Sequence, residues 1–571
     1  QQRLSGVGDE ARQVLEAAAV AGREFSLRAL RRSSGRSESE LVRAISVLRG
    51  TGLIEATPEG SYRFSHAFGQ EVVASSLDSA RRTLLHLRVA RALEAERARA
   101  SSAELAYHYW QGRELWEEED RERALAHLLA AGDAYHLAGQ FDAAVQCYRH
   151  TQQEAAAGSP QHVETLRRLA RTLDHWGEFR EALEVLEQAE AALDPGDLLA
   201  RAGLWAARAH LHPRLGELGR SEELCHQALQ LLDQIDNGEA RAERANIYNT
   251  LGYVAFLRGD YHIAAQEYRQ ALELRVAVGD QRRIAESYNN LGNAYDVQGD
   301  PQAESYYRQA LALQERSGDK PGLSRTLKNL GNFYWRRRRF SDAIATYTRA
   351  LELDQSMQNR LEAAAGYNNL GAVYFLQGDY ARARENYQHF LEEAERAGSR
   401  ADLALALLNL GEVSHRLGED QAALEHLERA LAILQEVGDR RDLADCHLHL
   451  GRVCHRLGRS QAKTHLKSAL ALAQELNVPA VSVPALDLLV ALALEAGDRL
   501  EAKAWAERCQ ELAETSDDSI VQGISSRTQG RLARPDAARK HLEKSIALLK
   551  PAPGGEAELE VSREQLKKLG R

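Results

Sequence analysis

A single dipeptide recurs with an almost constant stride through the middle of this chain, and that stride limits the fold more than any other feature. Leu-Gly stands at 251–252, 291–292, 330–331, 370–371, 410–411 and 450–451, at spacings of 40, 39, 40, 40 and 40 residues. Twelve residues past each Gly, or eleven where the loop is one shorter, comes Ala264, Ala303, Ala343, Ala383, Ala423 or Ala462. Four residues further sits a large side chain: Tyr268, Tyr307, Tyr347, Tyr387, Leu427 or Leu466. Three more bring Ala271, Ala310, Ala350, Phe390, Ala430 and Ala469. A fixed period of this length marks one supersecondary unit repeated along the chain.

The unit reads as two helices. A small residue on the first lets the second approach closely, and the Ala and the large residue, at helical spacing, fill that contact. The frame extends outward, its small position falling on Gly132, Ala170, Ala209, Val490 and Ser526, with the later Ala kept at Ala144, Ala182, Ala502 and Ala538. It predicts eleven helical hairpins between about residues 122 and 550. One such hairpin cannot bury its apolar face alone, so neighbours must stack.

These residues resemble the tetratricopeptide repeat, in the long-helix variety of Pins-type adaptors and kinesin light chains. The resemblance implies an all-α, right-handed superhelical solenoid whose first helices line a concave groove for a peptide or folded protein. On that register Asn290, Asn329, Asn369 and Asn409, two before the Gly, point into the groove. So do Asn249, Asn289 and Asn368, three before it, and Asn293 and Asn332, one after. A carboxamide donates and accepts, so it can pair with the backbone of an extended peptide whatever the side chains. Each bond contributes only about 0.5–1.5 kcal/mol, so several are needed. The alternative is that these amides pair between neighbouring helices or with water. Arg336, Arg416 and Arg456 stand five past the Gly, with Arg337, Arg338, Arg339 and Arg452 near in sequence. They either make part of the groove basic, suited to an acidic segment of a partner, or cap helix ends where cations complement the dipole.

Cys446, His447, His449, Cys454 and His455 form a conspicuous local set. Zinc needs about four ligands in tetrahedral array. Here the two cysteines are eight residues apart on one predicted helix and the chain has no CxxC, so packing and groove lining explain the set better.

The first hundred residues differ in composition. They hold 16 Arg, no Lys and 12 acids, a balance of +4 against −10 for the whole chain of 571 residues. An amphipathic helix spans 9–21 and a second covers 26–32; Ser37-Glu38-Ser39-Glu40 is a capping box for a third, to Arg49. Segments 53–57 and 62–65 flank Pro58-Glu59-Gly60-Ser61, a hairpin signal, and a helical stretch follows over 67–99. Three helices and a hairpin predict a winged helix. Its third helix, the one that would read DNA, carries Glu38 and Glu40 beside Arg43 and Arg49 and lacks a basic cluster. Together with the net negative charge, this argues against nucleic acid as partner.

The segments REFSLRAL, SESELVRAISVLRGTGLIEA, YRFSHAFGQEVVASSL and RRTLLHLRVARALE resemble the winged-helix region that follows the nucleotide-binding module of bacterial STAND signal-transduction ATPases. SAELAYHYWQGRELWEEEDRERALAHLLAAGDAYHLAG resembles the helical join into their repeats. In that family a His near the end of the winged helix contacts the nucleotide's β-phosphate, and His66 matches that position. Ser65 and Ala67 depart from the Met and Asp of plant and animal relatives; a hairpin-end or core histidine is the other reading of His66. The expected order is therefore a winged-helix region and its following helices over 1–100, a connector over 101–131, the solenoid over 132–550 and a tail or capping helix over 551–571.

No GxxxxGK[ST], HExxH, GxSxG or CxxC occurs, so no catalytic constellation is legible and no cofactor is expected in this chain. The resemblance puts ATP or ADP on a module outside it, where oligomerisation would also be decided. The chain starts at Gln1 and its only Met is Met357, which suggests a piece of a longer protein or a processed form. Five Cys without an even framework suit a reducing, cytoplasmic setting, and no apolar run reaches membrane-span length. The reading is a non-catalytic sensor arm that binds protein or peptide. A free-standing scaffold and a winged-helix transcription regulator are the alternatives.

Overall fold

The computed structural model describes residues 7–58, 60–96, 100–552 and 555–569. These form two compact units, Gln1–Val278 and Gly279–Arg571.

The first unit opens with α1 (Asp9–Ala21), β1 (Glu24–Phe25), α2 (Leu27–Ser34), α3 (Glu38–Gly50), β2 (Ile54–Ala56) and β3 (Tyr62–Phe64). The strands pair antiparallel in the order β1-β3-β2, with Glu24 opposite Arg63 and Ile54 opposite Phe64. The helices and the hairpin lie where the sequence pattern puts them; β1, two residues long, has no pattern of its own. Ser37 caps α3 and Glu40 returns the bond, so the capping box forms. Helices α4 (Ala67–Ser75), α5 (Ser79–Glu94) and α6 (Ser102–Gln111) follow. Val14, Leu15, Leu30, Leu48, Phe64 and Leu85 make one buried core across α1, α2, α3, β3 and α5.

Four hairpins complete this unit: α7 (Glu118–Leu137) with α8 (Phe141–Glu154), α9 (Pro160–Trp176) with α10 (Phe179–Ala191), α11 (Leu198–Leu211) with α12 (Leu218–Leu232), and α13 (Gly238–Arg258) with α14 (Tyr261–Val278). The first hairpin begins at Glu118, inside the stretch that the sequence assigns to a connector, because the small position Gly132 lies deep in a 20-residue helix rather than at its start.

Seven hairpins make up most of the second unit: α15 (Gln281–Val297) with α16 (Gln302–Ser317), α17 (Lys320–Arg336) with α18 (Phe340–Ser356), α19 (Arg360–Leu376) with α20 (Tyr380–Ala397), α21 (Arg400–Arg416) with α22 (Asp420–Val437), α23 (Arg440–Arg456) with α24 (Ala462–Glu475), α25 (Pro479–Glu495) with α26 (Arg499–Glu514), and α27 (Ser519–Leu532) with α28 (Pro535–Leu549). A last helix, α29 (Glu556–Leu569), packs back on α28, with Leu559 buried and the Ser562 and Ser545 hydroxyls 2.9 Å apart.

The recurrent Gly explains the close approach in the hairpins that carry it. A Cβ at Gly331 would stand 2.5 Å from Tyr347 Cε1, one at Gly371 would stand 2.6 Å from Tyr387 Cε1, and one at Gly451 would stand 2.5 Å from Leu466 Cδ2. Only hydrogen lets the second helix come so near. Successive first helices also meet directly, as α15 with α17, α21 with α23, α23 with α25 and α25 with α27. They therefore form the crowded, inner layer of the second unit.

Candidate protein-binding face

The inner layer of the second unit presents the residues flanking each recurrent Gly. The carboxamides there are used by the protein itself. Asn329 Nδ2 donates to Asn289 Oδ1 at 2.9 Å, and Asn409 Nδ2 donates to Asn368 Oδ1 at the same distance. In both pairs an Asn three before one Gly meets an Asn two before the next, so each bond ties adjacent first helices. Asn289 is buried and also donates to Asn290 Oδ1 at 3.3 Å. Asn293 and Asn332 accept from Tyr307 and Tyr347 hydroxyls at 2.8 and 2.5 Å. Those phenols lie under the recurrent Gly, where an unpaired hydroxyl would be costly. Asn249, in the first unit, accepts from Arg275 Nη1 at 3.5 Å. Asn369 is half-exposed. The expected ladder of free amides thus gives way to the alternative left open by the sequence: amides that join neighbouring helices.

The arginines five past the Gly are likewise engaged. Arg336 and Arg337 both pair with Asp296, which is almost wholly buried. Arg416 reaches Glu412 on its own helix at 3.4 Å. Arg456 donates to the His415 carbonyl at 3.0 Å, near the C-terminal end of α21, where a cation complements the helix dipole. These three serve helix ends and buried acids rather than one basic patch.

Charge gathers instead one residue past the Gly, in the later repeats. That column runs Asn293, Asn332, Ala372, Glu412 and Arg452, then Ala491 after Val490 and Arg527 after Ser526. Glu412 lies 3.9 Å from His449 Nε2. Burial acts to raise the Glu412 pKa, but His449 in its protonated form, with Arg416 and Arg452, outweighs it and holds the carboxyl below its usual range. Burial pushes His449 down to about 4, so it is neutral at pH 7. Burial, with Asp442 beside it, pushes Asp445 up to about 6. Further on, Asp487 of α25 accepts from Thr528 Oγ1 at 2.8 Å, Arg527 Nη2 at 2.8 Å and Arg531 Nε at 3.0 Å, and is only 2% exposed. Reading down the column past the Gly would have found Glu412, Arg452 and Arg527. Asp487 falls outside it.

The Cys/His set points to separate partners. Cys446 Sγ donates to the Leu427 carbonyl at 3.4 Å, His447 meets His465 at 3.0 Å, and His455 meets Glu495 at 3.1 Å. Among the described residues no group of three or more such side chains is placed to hold a metal ion. His66 is exposed at the N-cap of α4.

A tetratricopeptide-repeat family model matches residues 283–356, 362–436 and 402–475, and a second one matches 244–278. The chain carries tetratricopeptide repeats. No curated protein sequence matches it. Among solved structures, this chain is similar to the apo form of RapI, at 16% identity and a TM-score of 0.50, over 62% of this chain and 97% of that one. It is also similar to a STAND protein with a tetratricopeptide repeat sensor from Pyrococcus horikoshii, at 15% identity and a TM-score of 0.44, over 75% of this chain. The match spans 63% of that protein's length. A Rap protein complexed with Competence and Sporulation Factor matches at 16% identity and a TM-score of 0.41, over 62% of this chain and 98% of that one. Tetratricopeptide repeats are a protein–protein interaction fold and are generally non-catalytic. No helix among the described residues is long and apolar enough to cross a membrane.

Proposed function

We propose that this chain is the protein-sensing arm of a STAND-type signalling ATPase. The inner face of its tetratricopeptide repeats binds a protein or peptide. The N-terminal helices and sheet, read as a winged helix, pass that occupancy to a nucleotide-binding module outside the chain. Chemistry on ATP or ADP belongs to that module, and this chain is itself non-catalytic. A cytoplasmic setting fits its five free cysteines.

The observation that carries the binding half is the inner layer itself. Amide and ion pairs hold adjacent first helices in register, while Asn290, Asn369 and Arg416 stay half-exposed along it. A rigid polar wall of this kind is preorganised, so a partner loses little free energy to ordering it. The relay half rests on the order α1-β1-α2-α3-β2-β3, and on the exposure of His66, which supports a phosphate contact with a neighbouring module. DNA binding finds no support. Glu38 pairs with Arg31 and Glu40 pairs with Arg36 at 3.3 Å, so the acids of α3 neutralise nearby cations.

Two measurements test the reading. The gene upstream of the Gln1 codon is expected to encode GxxxxGK[ST]; without it the relay fails and a scaffold remains. A protein captured on the full chain is expected to lose at least about tenfold in affinity to Asn290→Arg/Asn369→Arg, with helicity unchanged. Unchanged affinity rejects the inner face.

A further inference from the structure

The tail does more than end the array. The first turn of α29 carries Glu556 and Glu558, and both side chains meet arginines of other hairpins. Glu556 pairs with Arg338, in the turn between α17 and α18. Glu558 pairs with Arg452 of α23 at 2.9 Å and with Arg527 of α27 at 2.7 Å, and its carbonyl accepts from Arg527 Nη1 at 3.0 Å. One helix start therefore bridges the second, fifth and seventh hairpins of its unit. Burial acts to raise the Glu558 pKa, yet Arg527 and Arg452 hold it below its usual range, so the carboxylate stays charged where it sits.

Arg338 also departs from the residue that its neighbours carry at the same turn position. Its φ is +56°, in the left-handed region, and the equivalent turn residue in neighbouring repeats is Gly299, Gly378, Gly418 and Gly458. An L-residue in that conformation is strained relative to Gly. Gln358 and Asn477 share that conformation, so what sets Arg338 apart is its long-range partner, Glu556.

Resting on the proposed protein-binding reading, we infer that Arg338, Arg452 and Arg527 form a receptor for the start of an acidic helix, and that the chain's own α29 occupies it. The partner this surface fits is a helical segment with carboxylates two residues apart in its first turn, which exchanges with Glu556 and Glu558. The acids at a helix N-terminus gain from the dipole as well as from the arginines. An internal ligand of this kind lowers apparent affinity for the partner by the fraction of time that it is seated.

The probe is a labelled synthetic peptide with the sequence of residues 555–569, titrated into the full chain. Glu556→Gln/Glu558→Gln in the chain is expected to raise the peptide's affinity by about tenfold or more over wild type. Adding Arg338→Gly and Arg452→Gln is expected to return it to the wild-type level. Hydrogen exchange across 556–569 is expected to quicken in the Gln variant while that of α23 and α27 stays unchanged. Equal peptide affinity for wild type and variant overturns the inference, as does faster exchange through the whole unit, which would make α29 a structural cap. A captured partner that binds wild type and Gln variant alike sinks this inference and spares the proposed function. Peptide exchange without any partner on the inner face does the reverse.

Discussion

Gly331→Ala puts the packing argument for the repeats at risk. The new methyl carbon would lie 2.5 Å from Tyr347 Cε1, 2.7 Å from Cδ1 and 2.9 Å from Cζ. Carbon atoms settle at about 3.5–4.0 Å, so the overlap is about 1 Å. The ring cannot swing aside, because it is 2% exposed and its hydroxyl is bound to Asn332 Oδ1 at 2.5 Å. The remaining response is for α17 and α18 to part. Overpacking costs about 1–3 kcal/mol, and an overlap of this size against a ring that cannot move falls in the upper part of that range, about 2–3 kcal/mol. Ala recovers about 1 kcal/mol through its helix propensity over Gly. The net loss expected is about 1–2 kcal/mol. Gly219→Ala is the control: it lies in α12 and its Cβ would meet nothing within 4 Å, so it should be neutral or slightly stabilising. Urea unfolding followed by circular dichroism measures both. Because repeat arrays open locally, hydrogen exchange should place the loss in α17 and α18. A Gly331→Ala protein as stable as wild type, with unchanged exchange there, would refute the close-approach argument.

Three further outcomes are expected. Asn289→Ala and Asn329→Ala should each cost about 1 kcal/mol, and the double variant less than their sum, because one bond joins the two; strict additivity in urea melts would mean that the amides do not pair. Asp487→Ala should destabilise by about 3–5 kcal/mol, since it strips buried Arg527 and half-buried Arg531 of a shared partner; a thermal midpoint near wild type would show the cluster to be dispensable. His86 and His108, buried with their Nδ1 atoms 2.9 Å apart, are pushed down by burial to about 4 and about 3, with Arg82 adding to the effect on His86 and His86 to that on His108. Their folded pKa values lie below the unfolded value, so the unfolded chain takes up protons first. Stability is full above about pH 6.5 and falls as pH drops from there toward 4, by about 3 kcal/mol for His86 alone. His108→Phe should flatten that slope in melting curves, and an unaltered slope would refute the assignment.

Much of the architecture is legible along the chain because its causes are local. Gly at a 40-residue stride, Ala after the loop and Tyr four further specify which helix faces meet within a hairpin, and the contacts of Gly331 with Tyr347 and Gly371 with Tyr387 follow from them. The capping box at Ser37 and the pairing of β2 with β3 are equally local. β1 is not legible in the sequence because two residues have no periodicity, and its strand character comes from pairing with β3.

The inner face was legible only in part. Sequence register selects its residues but not their partners. Asn329 meets Asn289 forty residues away, and Arg338 meets Glu556 at a separation of 218. Such meetings depend on the small rotation between successive hairpins, which accumulates over the array and is written in no single repeat. The sequence by itself determined that helix pairs would stack and which faces would meet within each hairpin. Tertiary structure decided that the amides there would bind one another, and that the tail's carboxylates would seat on three arginines, because only the stacking of hairpins far apart in sequence brings those charges within reach.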